Sequence, residues 1–284
     1  MVAQTPTLFP YPVPPESLPV GRPRANFMVE HFWDNCHWKT AYNSPSQMET
    51  TIRDFANFLP LAAADTVYSS INNLIKHSQK TPANFATLMH IAEATFYSDS
   101  AVIFSDEVYL PFAQAASKFK KFKADKRAYY ARQAQIINTS AEGKTLPNIT
   151  AYNQQGASIS LNDTTSGAAS YVIILENTNN SAERFERVRF AANISANKLV
   201  EAGLLKPILV ATNKPDSSWW TSVSNLPEQW TVTYMPNAAE YFDLRISPAV
   251  YMLNNEMTII AKWLPLNTLT SNCEQLIRAI ESQQ

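Results

Sequence analysis

Tyr171-Val-Ile-Ile-Leu175, followed by Glu176-Asn-Thr-Asn-Asn-Ser-Ala-Glu-Arg184, is the stretch whose reading decides the fold. Five apolar, mostly β-branched residues predict a buried strand. A polar loop follows, and then a run that reads as a helix. The loop holds no cysteine.

Outward from this strand, the C-terminal half alternates between extended and helical patterns. Ile149, Ala151 and then Ala157, Ile159 and Leu161 flank Asn153-Gln-Gln-Gly156, which predicts a hairpin. After the loop, Phe185, Val188, Ala192 and Leu199 fit one long helix with an apolar stripe. Pro207-Ile-Leu-Val-Ala211 is a second buried strand, and a polar segment with Trp219 and Trp220 leads to Trp230-Thr-Val-Thr-Tyr234. Ala249-Val-Tyr-Met-Leu253 and Thr258-Ile-Ile-Ala261 are separated by Asn254-Asn255, a good turn pair. A closing helix carries Leu269, Cys273, Leu276, Ile277 and Ile280 on one stripe. The order β-β-β-α-β-α-β-β-β-α describes an α/β domain with a mixed sheet.

The first half reads differently. Residues 1–23 are a Pro-rich arm (Pro6, Pro10, Pro12, Pro14, Pro15, Pro19, Pro23), extended because Pro removes backbone donors. Phe9 and Tyr11 are placed to pin it to its own domain, a simpler role than that of a ligand for a proline-reading module. From Arg24 the period turns helical. Ser44-Pro45-Ser46-Gln47 has the form of a capping box with Pro at the first helical position. Met48, Ile52, Phe55, Ala56 and Leu59 follow, then Val67, Ile71, Leu74 and Ile75. Thr81-Pro82 opens a helix with Phe85, Leu88, Met89, Ala92 and Phe96 on one face. Ser105-Asp106-Glu107 opens another, its acids favourable at the positive helix end, and the last runs from Asp125 to about Thr139. Residues 24–143 therefore form a helical domain and 144–284 an α/β domain.

Composition narrows the function. Net charge is -1, with 23 basic and 24 acidic residues, which argues against a nucleic-acid partner or a basic membrane-surface protein. Gly is scarce and no phosphate-loop or dinucleotide fingerprint occurs, so no cofactor is expected. No apolar stretch is long enough to span a bilayer. Met1-Val-Ala-Gln-Thr-Pro6 shows neither a basic n-region nor an apolar h-region. A cytoplasmic protein and a mature exported chain behind a new Met both look like this.

Cys36 and Cys273, far apart in sequence, allow one long-range disulfide or two free thiols; two free, buried thiols are favoured. His31, Asp34, Cys36 and His37 lack a zinc spacing, so no metal is expected. All four histidines (His31, His37, His77, His90) lie in the helical half, and no G-x-S-x-G motif is present.

At this point the residues suggest a family. Tyr241-Phe-Asp-Leu-Arg-Ile-Ser-Pro-Ala-Val-Tyr-Met-Leu253 resembles the segment around the cis-proline in thioredoxin-like domains of Bacteroidetes exported proteins. Trp219-Trp220 with Leu226-Pro227-Glu-Gln-Trp230 resembles the same proteins. Pro14-Pro15 and Val29-Glu-His-Phe-Trp-Asp-Asn35 resemble the helical domain of unknown function that precedes them. The resemblance implies an α+β, two-domain chain: an all-helical N-terminal domain plus a thioredoxin-like α/β C-terminal domain with a mixed sheet. It also implies the periplasm or cell envelope of a Bacteroidetes bacterium. Asp65-Thr-Val67 and Asp99-Ser-Ala101, which resemble the O-glycosylation acceptor of such exported proteins, agree with that.

Active relatives carry Cys-x-x-Cys after the first central strand. Here Asn180 and Glu183 fall at those two positions. Dithiol exchange needs a low-pKa thiolate and a resolving thiol, and neither side chain supplies one. The expectation is a non-catalytic exported protein that binds an unknown protein or peptide, in possible association with the envelope. Ser247, Pro248, Trp219 and Trp220 are its candidate binding residues, with no catalytic residue assigned. For Pro248 the plainer role is to shape the turn into the next strand. The alternative is a thiol-disulfide oxidoreductase relative acting through one remote cysteine, Cys36 or Cys273.

Overall fold

The computed structural model describes residues 7–101, 103–161 and 167–283. The chain divides into two compact units, Met1–Gln135 and Ile136–Gln284.

The first unit is helical. Its helices are α1 (Arg22–His31), α2 (Pro45–Ala56), α3 (Ala64–Ser78), α4 (Pro82–Ala92), α5 (Asp106–Lys118) and α6 (Ala124–Thr139), the last crossing the division. The expected stripes are the buried ones: Met48, Ile52 and Phe55 on α2, Ile71 and Leu74 on α3, Phe85 and Leu88 on α4. Phe96 joins them from a π-helical turn, Glu93–Tyr97, that extends α4. α3 packs on α1, α4 and α5. Thr81 and Ser105 cap α4 and α5 by accepting from the N–H groups of Asn84 and Val108. The Ser44 side-chain bond of the expected capping box does not form: Ser44 sits at φ -123°, ψ 83°, and its side chain accepts no cap hydrogen bond, while Pro45 takes the first helical position of α2.

The described part of the Pro-rich arm lies on this unit; Pro6 and the residues before it fall outside the described residues. Phe9 is buried edge-on against Phe32, and the Tyr11 hydroxyl donates to Asp54 (2.7 Å). Asn35 Nδ2 donates to the Pro10 carbonyl (2.9 Å).

The second unit is a seven-stranded mixed sheet with helices. In chain order it comprises β1 (Thr150–Tyr152), β2 (Ser158–Ser160), β3 (Ser170–Glu176), α7 (Ser181–Ala191), α8 (Ile194–Glu201) and β4 (Leu205–Ala211). Then come α9 (Ser217–Val223), β5 (Thr231–Tyr234), β6 (Ala249–Asn254), β7 (Ile259–Lys262) and α10 (Leu266–Glu281). The strand order is β2-β1-β5-β4-β3-β6-β7. β3, β4 and β5 run parallel, with Ile173 opposite Ile208 and Leu209 opposite Val232. β6 pairs antiparallel with β3, and β7 with β6. β3 is thus central and covered on both faces, which is why it reads as an unbroken apolar run. Tyr171, Ile173 and Leu175 enter a core with Ile208, Val210, Phe242 and Tyr251. Val172 and Ile174 enter a second core with Phe190, Leu199, Trp219, Leu269 and Cys273, supplied by the helices.

Three expectations are corrected here. The single long helix after the loop is two, α7 and α8, because Asn193 stops the first and caps the second, accepting from the Ala196 N–H (2.9 Å). Phe185 and Val188 are not its buried stripe. They are 63% and 53% exposed, while Glu183, Arg187 and Phe190 face inward. On α10, Leu269 and Cys273 are buried but Leu276 is exposed, so the stripe is narrower than expected.

Candidate functional site

The alternation along β3 places Glu176 on the same side as Val172 and Ile174, beneath the helices. It is fully buried. Arg187 Nη1 from α7 donates to its Oε1 (2.7 Å), and so does Trp219 Nε1 from α9 (2.6 Å). Arg187 Nη2 reaches Ser222 Oγ at 3.3 Å. Glu176 Oε2 and Arg187 Nε, both buried, have no hydrogen-bond partner. Burial pushes the Glu176 carboxyl above its usual range, against the opposing pull of the Arg187 charge and the Trp219 N–H. Burial likewise lowers the Arg187 guanidinium. The inward face of α7 is polar because this buried acid demands a cation.

Above Glu176 the chain turns through Asn177–Asn180 into α7. Asn180 is the N-cap, its Oδ1 accepting from the N–H groups of Ala182 (3.1 Å) and Glu183 (3.5 Å). Its Nδ2 donates to Glu183 Oε1 (2.5 Å). The other carboxylate oxygen accepts from the Asn177 N–H (2.7 Å). The Ser247 hydroxyl also donates to Glu183 Oε1, across 64 residues of sequence. Glu183 is 2% exposed, sits in the first turn where the helix favours negative charge, and accepts three hydrogen bonds. Thr178 and Asn213 exchange two further bonds, at 3.0 and 2.6 Å, and Arg184 donates to the Thr178 carbonyl. This loop is tied down by amides and a carboxylate whose hydrogen-bonding groups are used internally.

Ser247 belongs to the loop before β6, and its peptide bond to Pro248 is cis. That loop is anchored at Asp243, which is 1% exposed. Arg245 Nε and Nη2 donate to its two oxygens at 2.8 and 2.5 Å, and Lys262 Nζ donates at 2.9 Å. Tyr251 OH accepts from the Asp243 N–H (2.8 Å), and Trp263 Nε1 donates to its carbonyl (3.0 Å). The Lys262 ammonium stands 3.8 Å from the centre of the Trp263 ring. Burial raises the Asp243 carboxyl, but hydrogen bonding to Arg245 and the charges of Lys262 and Arg245 prevail and hold it below the usual range. Beside the anchored loop lies a cleft of ≈ 310 Å³, lined by Ser247, Pro248, Ile246, Arg189, Trp263 and Leu264 among others.

The structure thus brings Asn180, Glu183, Ser247 and Pro248 together. It does not bring the tryptophans to them as a surface. Trp219 is buried and serves Glu176 from below, while the half-buried Trp220 lines a different groove on the hairpin side of α9. Glu176, Arg187 and Asp243 are site residues that the sequence reading missed. The available signal was an acid placed directly after a buried strand, where alternation turns it inward.

Cys36 and Cys273 are free and buried, and burial pushes their thiols up to about 12 and about 11. His31 Nδ1 pairs with Asp34 at 2.8 Å, while His37 is exposed. Among the described residues no group of three or more His, Cys, Asp or Glu is placed to hold a metal. Asp65-Thr-Val67 lies in the first turn of α3, and Asp99-Ser-Ala101 in the turn after the π-helical segment.

Comparison with known proteins agrees with this two-part organisation. The family described as "Domain of unknown function (DUF5106)" matches residues 1–140. The fold of the whole chain is similar to that of a thioredoxin-like protein from Bacteroides caccae, at TM-score 0.78 and 19% identity, covering 95% of this chain and 99% of that one. A further solved structure is the thioredoxin domain of a thiol-disulfide oxidoreductase from Bacteroides vulgatus. It is 20% identical, covers 48% of this chain and 97% of that one, and has a TM-score of 0.40. No curated relative matches the chain. A region that matches the DUF5106 model is therefore followed by a thioredoxin-like C-terminal fold. Its two cysteines form no Cys-x-x-Cys motif. Among the described residues no helix is long and apolar enough to cross a membrane.

Proposed function

We propose that the protein is a non-catalytic binding module, exported to the periplasm or cell envelope of a Bacteroidetes bacterium. In this reading it holds a protein or peptide segment against the cleft beside Ser247 and Pro248. The observation that carries it is the occupation of the helix N-terminus by Asn180 and Glu183, bonded to each other and, through Glu183, to Ser247. Where the fold otherwise offers a thiolate, this chain offers a closed polar lock and an adjacent apolar cleft rimmed by Arg189. The oxidoreductase alternative needs an accessible thiol of depressed pKa, and burial displaces both thiols the other way.

Two measurements test this. The first is a pull-down from cell-envelope extract with the full chain and with Leu264→Arg, whose new cation enters the cleft. A partner retained by the first and lost by the second supports the reading; equal retention or none counts against it, as does recovery of the native protein in the cytoplasmic fraction. The second is thiol labelling of the folded protein at pH 8. From thiolate fraction alone, Cys273 at about 11 instead of 9.0 reacts roughly 100-fold more slowly than a free thiol, and Cys36 more slowly still. Rapid labelling of either cysteine would revive the redox alternative.

A further inference from the structure

Beyond the cis-proline cleft, the second unit carries a separate groove of ≈ 530 Å³ where the β1–β2 turn faces α9. The two cavities share no lining residue. Its volume falls in the range of small-ligand sites, about 300–1,000 Å³. None of the residues lining it is charged; they are amides, hydroxyls, valines and one tryptophan.

Trp220 is half-buried, and its ring is fixed by two aromatic neighbours. Trp219 meets it edge-on at 4.9 Å and 81°, and Tyr234 at 6.5 Å and 82°. Trp219 is in turn held by its bond to Glu176, so the platform is preorganised. Opposite it, the turn is braced by its own side chain. Asn153 Oδ1 accepts from the N–H groups of Gln155 (3.0 Å) and Ala157 (2.8 Å). The exposed side-chain amides of Gln154 and Gln155 have no partner among the described residues, so their donors and acceptors are free. Ser217 and Thr221 add hydroxyls from α9.

We propose that this groove binds a neutral carbohydrate. A pyranose has hydroxyls that each donate and accept, and carboxamides and hydroxyls are the side chains that answer both roles without charge. Its C–H face is apolar and flat enough to lie on an indole. A nucleotide or an acidic sugar would need a cation for its phosphate or carboxylate, and no Lys, Arg or His lines the groove. The site is independent of the cis-proline cleft, and neither reading depends on the other.

The test is calorimetric titration of the full chain with maltotetraose, cellotetraose, xylotetraose and mannotetraose, with tetragalacturonate as the charged control. At least one neutral tetrasaccharide is expected to bind saturably, and tetragalacturonate is not. Trp220→Ala should weaken that binding about tenfold or more through loss of the stacking surface. Because removing an indole can disturb folding, the second variant is Gln154→Ala with Gln155→Ala, both exposed. It should weaken binding roughly three- to tenfold, one or two hydrogen bonds, with an unchanged melting temperature. The proposal is overturned if no neutral tetrasaccharide binds up to about 10 mM. It is equally overturned if both variants bind as the wild type does, or if tetragalacturonate binds as well as the neutral sugars.

Discussion

Glu176 and Asp243 are both carboxylates taken almost wholly out of water in the same unit, one under the N-terminus of α7 and the other under the cis-proline loop. Burial dominates at Glu176, which has one cation, one indole N–H and an oxygen with no partner. At Asp243 the surroundings dominate: Arg245 grips both oxygens, Lys262 takes one of them again, and the carboxyl is held low. A buried charge is stabilised by the completeness of its partners rather than by having one. The contrast also separates roles. The Asp243 cluster clamps a loop to β7, whereas the Glu176 pair dictates which face of α7 turns inward.

The largest effect that tests this comparison is expected at Arg187. Arg187→Met leaves Glu176 buried without its cation and should cost about 3–5 kcal/mol in urea unfolding of the full chain. Glu176→Met combined with Arg187→Met removes both charges and should recover most of that loss, because a buried pair with orphaned atoms contributes little net stability. Equal losses in the single and double variants would show that packing, not the uncompensated charge, is what Arg187 supplies.

Asp243→Asn comes next. It keeps the shape but strips the charge facing Arg245 and Lys262, and a loss of about 2–3 kcal/mol is expected from hydrogen bonds to a charged group. The pH dependence gives a sharper check. A carboxyl held below its ordinary 3.8 binds protons more weakly in the native state than in the unfolded state. Its contribution is therefore present above that value and lost as pH falls through the native one. The wild type should lose this increment on acidification below about pH 4, and Asp243→Asn should not. Glu176 has the opposite sign: raised above 4.5, it favours the native state at low pH and loses that contribution as pH rises toward its native value. Glu176→Gln should remove that downward slope.

How far the sequence reaches is visible in these same elements. Tyr171–Leu175 is legible because a central strand covered on both faces must be apolar throughout, and the two core clusters divide it residue by residue. The helix after it is misread for a physical reason. Periodicity assigns apolar residues to the inside, so Phe185 and Val188 look buried, yet Arg187 turns inward to Glu176, Glu183 turns inward to Asn177, Asn180 and Ser247, and the apolar pair is left in water. Two buried polar partnerships override the hydrophobic pattern of an eleven-residue helix. The absence of a cysteine from the loop after β3 is legible in the sequence, but what the loop does instead is not. That Glu183 is completed by Ser247 depends on a cis-proline loop 64 residues away, anchored by Asp243, and no local spacing encodes that meeting. The four candidate binding residues likewise separate in space: Trp219 is buried against Glu176 and Trp220 lines the groove beside the β1–β2 turn, while Ser247 and Pro248 line another cleft.

The smallest effect tests the lock itself. Ser247→Ala removes one of three hydrogen bonds to Glu183 and should cost about 1 kcal/mol, in the usual range for one such bond, since Asn180 and the Asn177 N–H still hold the carboxylate. Amide hydrogen exchange sharpens the result. If Ser247 joins α7 to the cis-proline loop, exchange at Ala249 and Val250 should quicken along with that at Asn177. If only the Asn177–Asn180 loop responds, Glu183 is a helix cap and nothing more, and the link between the N-terminus of α7 and the cleft is lost.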